Sequence, residues 1–502
     1  MLNAAYGGST KYQRLTTIMK IRIAVVTDIH APGSDGHPER RGELAENLLL
    51  RVVNRFNRWI KPDITIIGGD IADDRDSETA CSWLGKISQI LKKLSCLYVV
   101  VRGNHDPSVD YFYKIFDKKR QLDVKGFRFV IFDDPEEPNF CASRTSDELK
   151  RFRLARADHS GPLISVQHVP LFPPGMSDCP YNYINAEQII AEMKKYRIFL
   201  SVSGHYHKGV GLIQSEGINF VTAPALCESP FSYMIIDAED EKFSVSTDCF
   251  QMPPQLGLVD RHVHTQLAYC SENMDVASVM NLYKDFGLAG VIFTEHSGQL
   301  YFDKESYFSG SCCIKGLGDA KKENNRMQRY FELMRRNNVP TRSIGLEIDF
   351  DYQNRPVITD ADKSGAKFFI GSIHKLAELQ KNNPDRKKAV QEFLFRTEAI
   401  VKSGVDVLAH PFRLFYRAGG NPPTDLFEKV VKLLKRNSVA AEMNFHSQQD
   451  EAEFVEKCIN SGVKLCLSSD SHNMYEVGEL WPHLKMLEKL GVTAQDFSRV
   501  LL

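Results

Sequence analysis

Ile21-Arg22-Ile23-Ala24-Val25-Val26-Thr27-Asp28-Ile29-His30 is the stretch on which the reading of this chain turns. A short apolar run, of the kind expected for a strand buried on both faces, ends in an acid and an imidazole two residues apart. Alternate residues at a strand end point the same way, so Asp28 and His30 can converge on one ion. The pattern recurs. Apolar runs at 64–67, 97–101, 163–166 and 199–202 lead into Gly69-Asp70, Gly103-Asn104-His105-Asp106, His168 and Gly204-His205-Tyr206-His207. More polar, helix-like stretches separate the runs, which predicts an α/β architecture.

With 502 residues the chain exceeds one typical core and predicts two domains of roughly 200 to 250 residues. The proline pair in Gln251-Met252-Pro253-Pro254-Gln255 suits neither a helix nor a central strand. It marks a linker over 251–257, between a first domain at 19–250 and a second at 258–502. Residues 1–18, polar and rich in Gly, Ser and Thr, read as a flexible extension ahead of Met19, or as an upstream start. In the second half, strands are expected from Leu256 and near Val291, Ile344, Phe368, Val405, Val439 and Lys464, with helices over 321–336, 386–402 and 426–435. Seven strand-helix units predict a barrel, whose active face lies at the C-terminal strand ends.

The 63 basic and 64 acidic side chains balance, so no overall field draws the protein to nucleic acid or anionic lipid. The 11 cysteines are odd in number and form no C-x-x-C pair, which suggests reduced thiols in a cytoplasmic protein. No apolar run reaches the roughly 20 residues of a membrane span, and no signal peptide is visible.

Carboxylate, amide oxygen and imidazole are ligands that Mn, Fe and Zn accept. Each motif alone reads as readily as a turn with a satisfied polar side chain, and His168 as a core histidine. Five of them in order, each at a strand end, favour a metal centre. The set Asp28-x-His30, Gly69-Asp70, Gly103-Asn104-His105-Asp106, His168 and Gly204-His205-x-His207 resembles the calcineurin-like metallophosphoesterase superfamily. That resemblance implies a four-layer α/β/β/α sandwich and two metals bridged by Asp70. Asp28, His30 and His207 would hold one, and Asn104, His168 and His205 the other. His105 would be a catalytic group that hydrogen-bonds developing charge or protonates the departing oxygen.

The second half carries Asp260-x-His262-x-His264-Thr265, Glu272, Glu295-His296, Glu347-Ile348-Asp349, His374, His410-Pro411 and Ser469-Asp470-Ser471-His472. These resemble the polymerase and histidinol phosphatase (PHP) family, closest to its histidinol-phosphatase type. The resemblance implies a distorted seven-stranded barrel and up to three metals. His262, His264, Glu347 and Asp470 would bind the first, Glu347, His374 and His410 the second, and Glu272, His296 and His472 the third. One departure is visible: Ala268-Tyr269-Cys270-Ser271-Glu272 stands where the family often has a histidine near a cysteine. Asp260, Glu295 and Asp349 read equally as ligands and as helix caps or surface carboxylates. Arg413 can present a guanidinium to phosphate or be a solvated loop residue. Glu442 and Asn444 are candidates for orienting substrate or water.

No nucleophile elbow or P-loop competes with metal-activated water. The leading expectation is a bifunctional phosphoesterase acting on a small, nucleotide-like phosphate. Its first domain would open a diester or cyclic phosphate, and its second would remove the resulting monoester. A nuclease or RNA-processing enzyme is the alternative, against which stands the lack of basic tracts interleaved with aromatics. A catalytically dead second barrel is disfavoured by its intact set of candidate ligands. No membrane partner is expected.

Overall fold

The computed structural model describes residues 19–33, 37–73, 78–239, 242–310, 314, 316–320, 325–447 and 451–502, so the 1–18 segment lies outside the described residues. The chain divides into two compact units, Met1–Asp248 and Cys249–Leu502.

In the first unit a five-stranded sheet runs in the order Lys242–Cys249, Ser232–Glu239, Lys20–Val26, Ile64–Ile67, Leu97–Val100. The last three are parallel to one another, while Ser232–Glu239 pairs antiparallel with Lys20–Val26. A six-stranded sheet has the order Val210–Ser215, Ile218–Thr222, Ile198–Ser203, Leu163–Val166, Phe127–Ile131, Gln121–Val124. The inner faces meet through Ile23, Val25, Ile64 and Ile66 on one side and Phe129, Ile164, Leu200 and Val202 on the other. Helices Ser146–Ala157 and Ala186–Lys195 cover the outer face of the second sheet, with Phe152, Ile189 and Met193 packed on Leu163, Ile198 and Phe220. Helix Ala45–Arg55 turns Leu48, Leu49 and Val52 inward at helical spacing and, with Glu78–Leu91, provides the other outer layer. Helices on both outsides explain why Ile64–Ile67 and Leu163–Val166 are buried at every residue.

The second unit holds a parallel seven-stranded sheet: Val259–Val263, Gly290–His296, Ile344–Ile348, Phe368–Gly371, Val407–Leu408, Ala440–Asn444 and Leu465–Ser468, neighbours in that order. Main-chain bonds from His264 N–H to the Ser471 carbonyl (3.2 Å) and from Ser471 N–H to the His262 carbonyl (3.3 Å) bring the last strand back to the first. The sheet is thereby nearly closed as a barrel. Ile370, Val407, Ala409, Ala440 and Cys466 form a buried cluster of this sheet. The strand expected from Leu256 begins instead at Val259, because Pro254–Leu256 makes a 3-10 turn. The helix expected over 321–336 is seen as Met327–Arg336, with 321–324 outside the described residues. Those expected over 386–402 and 426–435 are Arg386–Lys402 and Thr424–Asn437.

Outside the barrel sheet, helix Ala452–Ser461 is anchored by Phe454, which is 1% exposed and meets Phe412 edge-on (ring centroids 4.8 Å apart) and Phe427 at a tilt (5.7 Å). Phe454→Ala should lower the stability of the second unit by about 3–5 kcal/mol. Calorimetry of the whole chain should show one transition moved down and the other in place. A loss below about 1 kcal/mol would contradict this packing account.

Candidate metal centres

In the first unit the expected ligands stand just past the strand ends, and four of them, Asp28, His30, Asp70 and His205, have positive φ (55°, 49°, 50° and 68°). Non-glycine residues adopt this region at a cost, which surrounding structure must hold in place. Gly103 shows how tightly: a Cβ there would lie 2.1 Å from Asp70 Oδ1. Asp106 ties the loops together, its carboxylate accepting from the N–H groups of Ile71, Ala72 and Gly103.

The side chains form two adjoining groups that share Asp70. Around one, His30 Nε2 and His207 Nε2 are 3.2 Å apart, and Asp28 Oδ1 lies 3.9 and 3.5 Å from them. Around the other, His168 Nε2 lies 3.1 Å from Asn104 Oδ1 and 3.2 Å from His205 Nδ1. Asp70 Oδ2 stands between, 3.8 Å from His30 Nε2 and 3.3 Å from His168 Nε2.

The outward nitrogens fix which atoms face inward. His168 Nδ1 donates to the Gly68 carbonyl (2.7 Å) and His205 Nε2 to the Phe140 carbonyl (3.1 Å), since a carbonyl only accepts. Asp73 meets His30 Nδ1 at 2.8 Å, and Glu228 meets His207 Nδ1 at 2.5 Å. The inward atoms are therefore lone pairs facing lone pairs and carboxylate oxygens. Asp28 Oδ2 accepts from Thr27 Oγ1 and the His205 N–H, while Oδ1 is buried with no hydrogen-bond partner. Such a set needs positive charge at its centre.

Protons on the imidazoles would supply part of that charge. Burial opposes the charged form of His168, but Asp70 outweighs it and lifts the imidazole to about 9. Burial likewise opposes His207, yet Asp28 and Glu228 raise it to about 10. Asp70 is held well below the carboxylate range despite burial, chiefly by His168. His105 is less enclosed, its side chain 30% exposed, and burial lowers its pKa.

The second unit gathers five imidazoles on one carboxylate. Glu347 Oε1 lies 3.1 Å from His410 Nε2 and 3.2 Å from His374 Nε2. Its Oε2 lies 2.6 Å from His296 Nδ1, 3.4 Å from His262 Nε2 and 3.8 Å from His264 Nε2. Asp470 Oδ1 approaches His264 Nε2 (3.1 Å) and His262 Nε2 (3.4 Å), while Oδ2 accepts from Arg413 and from Asn444 (3.1 Å). Behind the ligands, Glu442 bonds His262 Nδ1 (2.6 Å), Asp349 bonds His374 Nδ1 (2.6 Å) and Glu295 lies 3.3 Å from His264 Nδ1. Glu347 Oε2, His262 Nε2, His296 Nδ1 and His374 Nε2 are all buried without a hydrogen-bond partner. Burial disfavours the Glu347 charge, but His296, His374 and His262 keep its carboxyl far below the usual range. Against burial, Glu347 and Asp349 raise His374 to about 10, and Asp470 and Glu295 raise His264 to about 9.

The surface role weighed for Asp260, Glu295 and Asp349 does not hold: all three are buried. Glu295 and Asp349 orient histidines, and Asp260 accepts from Ser469 and from Gly478 N–H, joining strand to loop. Nor is Arg413 a solvated loop residue, being buried against Asp470. Glu272 stands exposed at the mouth of the barrel cavity, tied only by its main-chain N–H to the His472 carbonyl (3.0 Å) among the bonds described. His264 comes together with His296 and His472 instead, all three offering ring nitrogens within 4.8 Å of one another. Asp73 and Glu228 escaped the sequence reading. Asp73 had a local signal, three residues beyond Asp70, but Glu228 reaches His207 from a loop outside every motif.

Residues 21–209 match the family model for calcineurin-like phosphoesterases, and residues 260–446 match that for the PHP domain. A protein named probable phosphatase from Acetivibrio thermocellus is 30% identical over 137 residues, 26% of this chain and 51% of that protein. Two proteins named probable cyclic nucleotide phosphodiesterase are each 24% identical. The one from Xenorhabdus bovienii matches over 31% of this chain and 65% of its own length, and the one from Coxiella burnetii over 41% and 84%. The chain thus spans about half the length of the first relative and about two thirds of the second. Fold, strand-end motifs and family matches agree that this chain joins a calcineurin-like phosphoesterase domain to a PHP domain.

Proposed function

We propose that the chain is a bifunctional metal-dependent phosphoesterase. Its first unit would be a phosphodiesterase for nucleotide or cyclic phosphates, and its second a phosphomonoesterase of histidinol-phosphatase type. The observation that carries this reading is the convergence, in both units, of buried acceptors on points without a donor, as at Asp28 Oδ1 and Glu347 Oε2. Divalent cations such as Mn, Fe or Zn, two in the first unit and up to three in the second, would neutralise phosphoryl oxygens and acidify water there.

In the first unit Asp28, His30 and His207 would hold one cation and Asn104, His168 and His205 the other, with Asp70 between. His105, neutral at pH 7 because burial lowers its pKa, offers a ring N–H to the departing oxygen. In the barrel, His262, His264, Glu347 and Asp470 would form one site and Glu347, His374 and His410 a second. The group of His264, His296 and His472 is the candidate for the third. Arg413, Arg417 and Lys375 line a cavity of about 340 Å³ beside them. Two guanidiniums and an ammonium suit a phosphomonoester dianion, and Arg413 Nε has no partner. That volume sits at the lower end of small-molecule sites, which favours a small substrate over a polynucleotide. The names of the relatives support the same pairing of activities.

Asp70→Ala should stop consumption of a cyclic nucleotide or other diester while monoesterase activity persists. Asp470→Ala should let the monoester accumulate. Identical product profiles for the two variants would sink the two-centre reading.

A thermal measurement tests the metal sites themselves. The folded, metal-free chain holds protons on His168 and His264 to about 9 and on His207 and His374 to about 10, above the ordinary 6.5. The stability this gives is complete below about 6.5 and is lost as pH rises through the folded values. The melting temperature of the metal-free protein should therefore fall from about pH 7 to about pH 9. Added Mn, which displaces those protons, should raise it more at about pH 8 than at about pH 6. Equal shifts at both pH values would count against imidazole ligation.

A further inference from the structure

The first centre has an aromatic wall that metal binding does not require. Glu136–Glu137 pairs antiparallel with Cys141–Ala142, and the tip of this hairpin places Asn139 and Phe140 at φ 63° and 59°. A left-handed phenylalanine is unfavourable, and its usual compensation, a buried ring, is missing: Phe140 is 52% exposed. The strained turn does two things. It aims the Phe140 carbonyl at His205 Nε2 (3.1 Å), and it leaves the Phe140 ring exposed to solvent. Tyr181 packs edge-on against the His205 ring, centroids 4.7 Å apart, with Phe140 at 6.2 Å and Tyr206 at 6.0 Å from it. The loop bearing Tyr181 is knitted to the hairpin by main-chain bonds between Ala142 and both Asn182 (3.3 Å) and Ile184 (2.9 Å). The ring positions are thus set by backbone.

We infer that the exposed Phe140 ring, braced by Tyr181 at an interplanar angle of 85°, is the face on which the base of a nucleotide substrate lies while its phosphoryl group occupies the centre built on Asp28, Asp70 and His207. This rests on the phosphodiesterase reading of the first unit and names its substrate class. An exposed ring whose own carbonyl bonds the outer nitrogen of His205 stands one imidazole beyond the inward-facing atoms, a separation that suits a planar group joined to phosphate through a sugar. Aromatic stacking accepts every base because each has a π-face, so the wall selects nucleotides over base-free diesters without reading sequence.

The test uses the full chain loaded with Mn, and two substrates: a cyclic purine nucleotide and its abasic counterpart, in which a methoxy group replaces the base. The wild type should favour the nucleotide, mainly through KM. Phe140→Ala and Tyr181→Ala should each raise KM for the nucleotide about tenfold, with kcat changed far less and the abasic KM moved less than about threefold. Phe140→Trp and Tyr181→Phe should restore the preference, which a merely structural role of these rings would not require. If the wild type cleaves both compounds without preference, or if the alanine variants lose both equally, the wall is structural and this inference alone fails. If the wild type cleaves neither, the phosphodiesterase reading fails and takes the inference with it.

Discussion

A carboxylate buried among imidazoles is the feature on which the rest of both units depends. Glu347 is fully buried within 3.8 Å of five histidine nitrogens, and Asp70, 1% exposed, lies between His30 and His168. Taking such a charge out of water costs several kcal/mol unless positive charge stands beside it. Neutral imidazoles cannot supply it with their lone pairs turned inward. Protons can, as the raised pKa values of His168, His207, His264 and His374 record, and so can divalent cations. A proton and a metal compete for the same atoms, which couples the pH behaviour of the fold to its chemistry.

Two unrelated scaffolds meet this requirement with the same devices. The sandwich and the barrel both present ligands where strands end, and both bend the chain there through left-handed residues, His410 and Asp470 in the barrel as Asp28 and Asp70 in the sandwich. Both back their histidines with acids: Asp73 and Glu228 in one, Glu442, Asp349 and Glu295 in the other. An acid behind Nδ1 keeps a proton there and leaves Nε2 for the centre. His205 and His296 depart from this: the Phe140 carbonyl claims His205 Nε2 and turns Nδ1 inward, and His296 faces Glu347 Oε2 through Nδ1 (2.6 Å).

The strand-end motifs whose side chains converge were legible because their signal is local. Asp28 with His30, His205 with His207, and His262 with His264 are pairs two residues apart at or just past strand ends, and their order along the chain follows the order of the strands. The seven-strand barrel was legible for the same reason, through short apolar runs at regular spacing. What could not be read was whatever the fold brings from elsewhere. Glu228 carries no motif, and Glu295, read as ligand, helix cap or surface acid, shows its place only through its 3.3 Å approach to His264 from the neighbouring strand. Glu272, assigned by resemblance to a group with His296 and His472, is exposed and lines the same cavity as they do. The aromatic wall depends on a strained hairpin tip and a second loop, and neither has a sequence period.

Anomalous diffraction from crystals of the full chain grown with Mn tests the central claim most directly. The account predicts separate metal peaks on either side of Asp70, one among Asp28, His30 and His207 and one among Asn104, His168 and His205, together with peaks flanking Glu347. Ordered density without anomalous signal at both carboxylates, under saturating Mn at neutral pH, would contradict it.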